Sequence, residues 1–245
     1  VSRIPLEILT DAWQEEDLVF HTAPTSEMVM LYLNQLITDT LPFNDKTVRQ
    51  ALLYGLDRQR LVDETLLGQA IIPETPLLPG TWAYSTQDIP TYDYDPEQAQ
   101  ALLTQAGWVR DTMTTSLHNA AGDPLQFTLI AANDSRDMAV AEAIANQWTR
   151  LGISVTVDGV PPLALSGALE SRSYQALLSH LVIPGDPDLY PLWHETQAFA
   201  GQNYAGFRHR RISEVLEQAR TTVDRGQRII LYREFQQLFM DEVPA

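Results

Sequence analysis

The stretch from Leu125 to Val157 constrains the fold more than any other part of this chain. Leu125, Phe127 and Leu129 alternate with polar residues, the two-residue period of a half-buried strand. Asp134 or Ser135 then offers a helix cap; Ala139, Ala143, Ile144 and Trp148 follow as the inward positions, and Gly152 ends the run. Ile153, Val155 and Val157 alternate again. Strand, helix and strand in this order favour two parallel strands joined by a right-handed crossover, because a right-twisted strand feeding a right-handed helix packs back onto its sheet in that hand. The spacing predicts an α/β architecture.

Other segments fit around that unit. Asn44 or Asp45 caps a predicted helix with Val48, Ala51, Leu52 and Leu56 on one side. Asp57 caps a second, carrying Leu61, Val62, Leu66 and Leu67 up to Gly68. Residues 72–94 contain Pro73, Pro76, Pro79 and Pro90 along with Trp82, Tyr84, Tyr92 and Tyr94, so they form an ordered surface loop rather than a central strand. Asp95 as cap, Pro96 at the first helical position and Gly107 as terminator mark the clearest helix, with Ala99, Leu102, Leu103 and Ala106 inward. A helix is expected after Pro161–Pro162, and a buried strand over Tyr174–Ile183, broken by the turn residues Pro184-Gly185-Asp186-Pro187-Asp188. Ile212–Arg220 and Arg225–Val243, the latter behind Asp224, read as two closing helices. Nearer the start, Leu6, Ile8 and Leu9 suggest a strand, and Met28–Leu36 a strand or short helix.

Composition removes several functional classes. With 16 basic and 32 acidic residues in 245, the net charge of −16 disfavours nucleic acid and anionic membrane surfaces. The chain has no cysteine, so disulfides, thiolate catalysis and thiolate metal sites are excluded. No apolar run approaches the roughly 18 residues of a membrane-spanning helix. The five histidines, at 21, 118, 180, 194 and 209, are scattered without metal-ligand spacing and read as solvated. His194-Glu195 are sequence neighbours, which point in different directions on a helix. There is no nucleophile elbow, P-loop or G-x-G-x-x-G, so the reading is of a non-enzyme without cofactor or metal. Aromatic residues in predicted loops (Trp82, Tyr84, Tyr92, Tyr94, Tyr190, Trp193, Tyr204 and Phe207) are candidates for lining an organic-ligand pocket, or else for covering the core beneath long loops.

Several motifs in one order carry a resemblance. PFNDKTVRQALLYGLDRQRLVDETLLG, TPLLPGTWAY, YDYDPEQAQALLTQAGW, LQFTLIAAND with AEAIANQWTRLGISVTV, then GDPD, NYAGF and AR followed by VDRGQRIILYREFQQLFMDEVP are similar to segments of the family five extracellular solute-binding proteins of ABC importers, the oligopeptide, dipeptide and nickel type. The resemblance runs from about residue 30 to the end. It implies one lobe of a type II periplasmic-binding-protein fold, a mixed sheet flanked by helices. On this reading residues 1–40 lead in from a lobe that is missing, 41–245 form the C-terminal ligand-binding lobe, and loop 72–94 is a possible internal boundary.

The resemblance further implies a chain that captures a small organic solute, peptide-like or oligosaccharide-like, in a cleft between lobes. It would deliver that solute to an ABC permease in the periplasm or at the cell surface. An alternative is the ligand-sensing domain of a regulator or receptor on the same fold. The ligand-facing positions expected from this lobe are His180, Ile183, Gly185, Asp186, Trp193, Tyr204 and Trp82. Peptide-binding relatives place an amine-anchoring Asp where this chain has Ile183 and commonly a Trp where it has His180. An uncharged partner at Ile183 is therefore expected, since a buried unpaired ammonium is costly.

Overall fold

The computed structural model describes residues 5–37, 41–111, 115–183 and 185–245. Pro184, counted in the predicted turn, lies outside them. In chain order the elements are α1 (Leu6–Ala12), β1 (Glu27–Leu33), α2 (Lys46–Tyr54), α3 (Arg58–Arg60, running into a π turn over Leu61–Thr65), α4 (Pro96–Gln105), β2 (Val109–Arg110), β3 (Leu117–His118), β4 (Gln126–Ala132), α5 (Ser135–Arg150), β5 (Ser154–Val160), α6 (Pro162–Ser171), β6 (Ala176–Val182), α7 (Tyr190–Trp193), α8 (Gln197–Ala200), α9 (Arg210–Thr221) and α10 (Arg225–Glu242).

The main sheet has the order β1-β6-β4-β5. β4 pairs in parallel with both β5 and β6, and β1 runs antiparallel along β6 from Glu27↔Val182 to Leu33↔Ala176. The sheet is mixed, as expected, and helices cover both faces. On one face Leu33, Phe127, Leu129, Ala176 and Leu178 pack against Val48, Ala51 and Leu52 of α2, Leu103 of α4 and Val140, Ile144 and Trp148 of α5. On the other, Met28, Met30, Tyr32, Leu177 and Ile183 pack against Ile212 and Leu216 of α9 and Tyr232, Phe235 and Phe239 of α10. The first half of β6 is buried on both faces, which is why its sequence opens as an unbroken apolar run.

The β4–α5–β5 unit forms as the alternation predicts, with Asp134 as cap, its carboxylate accepting from the N–H groups of Arg136 and Asp137. The buried stripe of α5 is rotated from the expected one. Val140, Ala141, Ile144, Ala145 and Trp148 are buried, while Ala139 and Ala143 are only half-buried. The Trp148 indole donates to the Leu52 carbonyl at 2.9 Å, which ties α5 to α2 in that orientation. Asp45, Asp57, Asp95 and Asp224 all cap the helices they precede.

One expectation changes. Leu6–Leu9 is helical, since Leu6 and Leu9 face inward at a spacing of three while Ile8 is exposed. The segment before residue 40 contributes β1 to the sheet. In loop 72–94, Leu77, Ala83, Ile89 and Tyr92 share one core with α9 and α10. Fully buried Gln236 on α10 accepts from the Thr75 hydroxyl and donates to the Ala83 carbonyl, both at 2.9 Å.

Candidate functional site

Ligands of open α/β sheets meet the chain outside the carboxyl ends of the strands, where connections splay and helix N-termini point outward. β4, β5 and β6 end at one edge of this sheet, and antiparallel β1 begins there. That edge gathers Glu27, the Asp134–Asp137 turn of α5, and His180 to Asp186.

His180 is the hub of one half of it. Its Nδ1 contacts the Glu27 carboxylate, and its Nε2 lies 2.9 and 3.0 Å from the two carboxylate oxygens of Asp137. The Asp137 side chain is 6% exposed, against 29% for His180 and 31% for Glu27. A carboxylate faces each ring nitrogen, so both must carry a proton to donate. The Asp137 hydrogen bond, with the charges of Asp137 and Glu27, holds the imidazole above the ordinary histidine value although burial opposes this. Asp137 sits in the first turn of α5, where the positive end of the helix favours a carboxylate.

Asp186 and Trp82 meet through Arg228. Its guanidinium pairs with Asp186, Nη2 to Oδ1 at 2.6 Å. Asp224 is used as the cap of α10. The Arg228 guanidinium lies 4.8 Å from the Trp82 ring centroid and 5.7 Å from that of Tyr232. Trp82 stands edge-on to Tyr232 with centroids 5.7 Å apart, and Arg225 lies 5.2 Å from its ring. Asp188 holds Arg220 at 2.7 Å.

The other expected positions divide. Gly185 is exposed beside Asp186. Ile183 is 2% exposed, its side chain packed in the core and its N–H donated to the Ser26 carbonyl. Its apolar character is what the core requires. Trp193, 1% exposed, is also in the core, stacked on Tyr32 at 6.3 Å and edge-on to Phe239 at 4.6 Å. Tyr204 lies at the opposite end of β6. Its carbonyl accepts from the Tyr174 hydroxyl at 2.6 Å, just before β6 begins, and its ring meets Tyr32 near the end of β1. After the 185–189 loop the chain runs back across the face of the sheet, which takes Trp193 and Tyr204 away from the edge where His180 and Asp186 stand.

His194 is a further correction, because it is buried rather than solvated. Its Nε2 is 3.0 Å from Glu217, its Nδ1 is 2.8 Å from the Thr196 hydroxyl, and its ring stacks on Tyr190 at 4.1 Å. Glu27, Asp137 and Arg228 are the site-edge residues not singled out as ligand-facing from sequence. Asp137 had a usable signal, an acid in the first turn of a capped helix directly after a strand. At the amino edge, a cavity of about 160 Å³ lies between the α3 turn and α5, lined by Arg60, Glu64, Gln147 and Arg150 among others. That is below the roughly 300–1,000 Å³ of organic-ligand pockets. Among the described residues, no three or more His, Asp and Glu side chains are grouped to hold a metal ion, and no helix is long and apolar enough to cross a membrane.

Comparison with known proteins agrees with this architecture. The oligopeptide-binding protein AppA of Bacillus subtilis is 29% identical over 211 residues, covering 82% of this chain and 38% of the relative. The nickel-binding periplasmic protein of Escherichia coli is 28% identical over 256 residues, covering 98% and 45%. The structure of AppA in complex with a nonapeptide superposes with a TM-score of 0.89 at 25% identity, over 98% of this chain and 48% of that one. That of NikZ from Campylobacter jejuni in complex with Ni(L-His) shares the fold, with a TM-score of 0.84 at 23% identity over the same shares, 98% and 48%. The chain thus spans less than half the length of these relatives. Residues 1–200 match the bacterial extracellular solute-binding proteins, family 5 Middle, and the chain belongs to that family.

Proposed function

We propose that this chain supplies one lobe of the solute-binding component of an ABC importer, and that the solute is a small organic molecule, peptide-like or oligosaccharide-like. The observation that supports this best is the agreement of nearly the whole chain with the fold of AppA, whose solved complex holds a nonapeptide. The carboxyl edge fits the role. It offers a rigid polar rim, with Glu27, His180 and Asp137 on one side of β6 and Asp186, Arg228 and Trp82 on the other. Solute bridging this edge and a second lobe stabilises the closed form by binding it more tightly than the open one, and closure presents the loaded protein to the permease. Nothing in the mechanism needs bond making or breaking, so the protein binds and releases without turnover, and it works outside the cytoplasm.

Native mass spectrometry of the full-length protein, isolated without refolding, tests this. A retained peptide or oligosaccharide mass is the expected result. An empty protein that also gives no calorimetric heat with peptide and oligosaccharide pools would sink the reading.

A further inference from the structure

We propose that Glu27, His180 and Asp137 form a proton-operated clasp that fastens β1 and the first turn of α5 to β6 at the carboxyl edge of the sheet. The three residues come from three elements, and His180 joins them with one ring nitrogen each. An imidazolium donates to both carboxylates. A neutral imidazole has one N–H, so on losing a proton it turns a bare lone pair toward one of the carboxylates and that contact becomes repulsive.

The clasp sits where apolar cover has run out. On this face of the sheet Val29 and Val182 flank His180 and Glu27, and they are 39% and 66% exposed. The buried stripe of α5 begins only at Val140, about one turn beyond Asp137. β1 is an edge strand, so its first residues have a strand neighbour on one side only. Polar contacts therefore carry a large share of what holds this corner. The charged groups around His180 are Glu27 from β1 and Asp137 from α5, with Asp134 committed to capping α5, Arg136 beside it, and Asp186 beyond β6 committed to Arg228.

The direction follows from the elevated proton affinity of His180. Its contribution is complete below the ordinary value of 6.5 and is lost as pH rises through the higher folded-state value. The clasp closes in mild acid and opens as pH rises past that higher value.

The test uses the full-length protein labelled with ¹⁵N-histidine, with the His180 resonances assigned through H180Q. The His180 titration should have its midpoint above the ordinary 6.5, with both ring nitrogens protonated below that midpoint. E27Q should lower that midpoint. Hydrogen exchange at Met28–Met30, corrected for the intrinsic rate, should accelerate about tenfold as pH rises through that midpoint in the wild type and show no such step in H180Q. A His180 midpoint at or below 6.5, or β1 protection that ignores the His180 titration, would overturn the clasp. The wild-type titration decides the matter even if a variant folds poorly. No ligand enters these measurements, so the clasp and the solute-binding reading stand or fall separately.

Discussion

Replacing the buried Arg49 by methionine should loosen the end of α10. The Arg49 side chain is 2% exposed. It donates to the Phe43 carbonyl at 2.9 Å, to the Glu242 carbonyl at 2.8 and 3.2 Å, and to the Val243 carbonyl at 2.9 Å. The last two are terminal helix carbonyls with no partner inside α10, and Val243 turns into the left-handed region at φ 48°. Burial lowers the guanidinium to about 10, with Glu242 and Asp45 opposing, so the buried cation is already costly and must be offset by its bonds. Methionine keeps most of the aliphatic volume and leaves three acceptors without their donor. A hydrogen bond to a charged group contributes about 1.5–3 kcal/mol net, so the low end for three acceptors gives about 4.5 kcal/mol. For a chain of this size that is roughly 9–18 °C in melting temperature.

The segment would loosen rather than leave, since Lys46, Gln50, Tyr92 and Gln35 also bond to residues 240–244. Urea unfolding gives the magnitude, and hydrogen exchange over residues 239–244 gives the location. Arg49→Lys should recover less than half of the loss, because a single ammonium cannot reproduce the guanidinium fork. A loss under about 1 kcal/mol for Arg49→Met, below the cost of even one charged hydrogen bond, would refute the reasoning. So would a larger loss that left exchange at the α10 end unchanged.

Gln236→Ala removes contacts to Thr75, Ser85, Ala83 and Tyr232, should cost roughly 2–4 kcal/mol, and should open loop 73–90 to limited proteolysis while α9 stays protected. Gly152→Ala should be the harsher of two glycine changes: Gly152 and Gly107 both have φ near +90°, but a Cβ at Gly152 would stand 2.5 Å from the Thr115 carbonyl and at Gly107 would meet nothing. We expect about 1–2 kcal/mol for Gly107→Ala and clearly more for Gly152→Ala, read as midpoints in denaturant. Asp186→Ala should change stability by less than about 1 kcal/mol, because the pair with Arg228 is largely exposed on the Asp186 side. On the solute-binding reading Trp82→Ala should weaken solute binding about tenfold or more in calorimetry, the effect of losing an aromatic anchor, and an unchanged affinity would remove Trp82 from the site.

Helix caps and strand alternation were readable wherever local chemistry decides the structure. Asp95-Pro96 and the β4–α5–β5 unit needed only neighbouring residues. The α5 stripe was rotated in the sequence reading because its phase depends on Leu52, 96 positions from Trp148. β2 and β3 were missed, being two residues each and held by one short pairing. The loop aromatics show the limit of composition: Trp193, in the short α7, and Phe207, between α8 and α9, are both core residues.

At the carboxyl edge, one distinction was available from sequence and went unused. In a strand, side chains three positions apart point to opposite faces, so His180 and Ile183 could not both turn to one ligand surface. With the exposed residues of β6 alternating as His180 and Val182, the core had to receive Ile183. Parity therefore separates His180 from Ile183 without any structure. The partners that give His180 its character could not be found this way. Asp137 is 43 positions away and Arg228 is 42 from Asp186, and each arrives through pairings that no local pattern encodes. Glu27 arrives through the register Glu27↔Val182 alone. A slip of one residue in that register would turn Glu27 to the opposite face and leave His180 with a single carboxylate. The charge state of the histidine is thus a property of strand pairing, which is why a lone histidine read from sequence looked merely solvated.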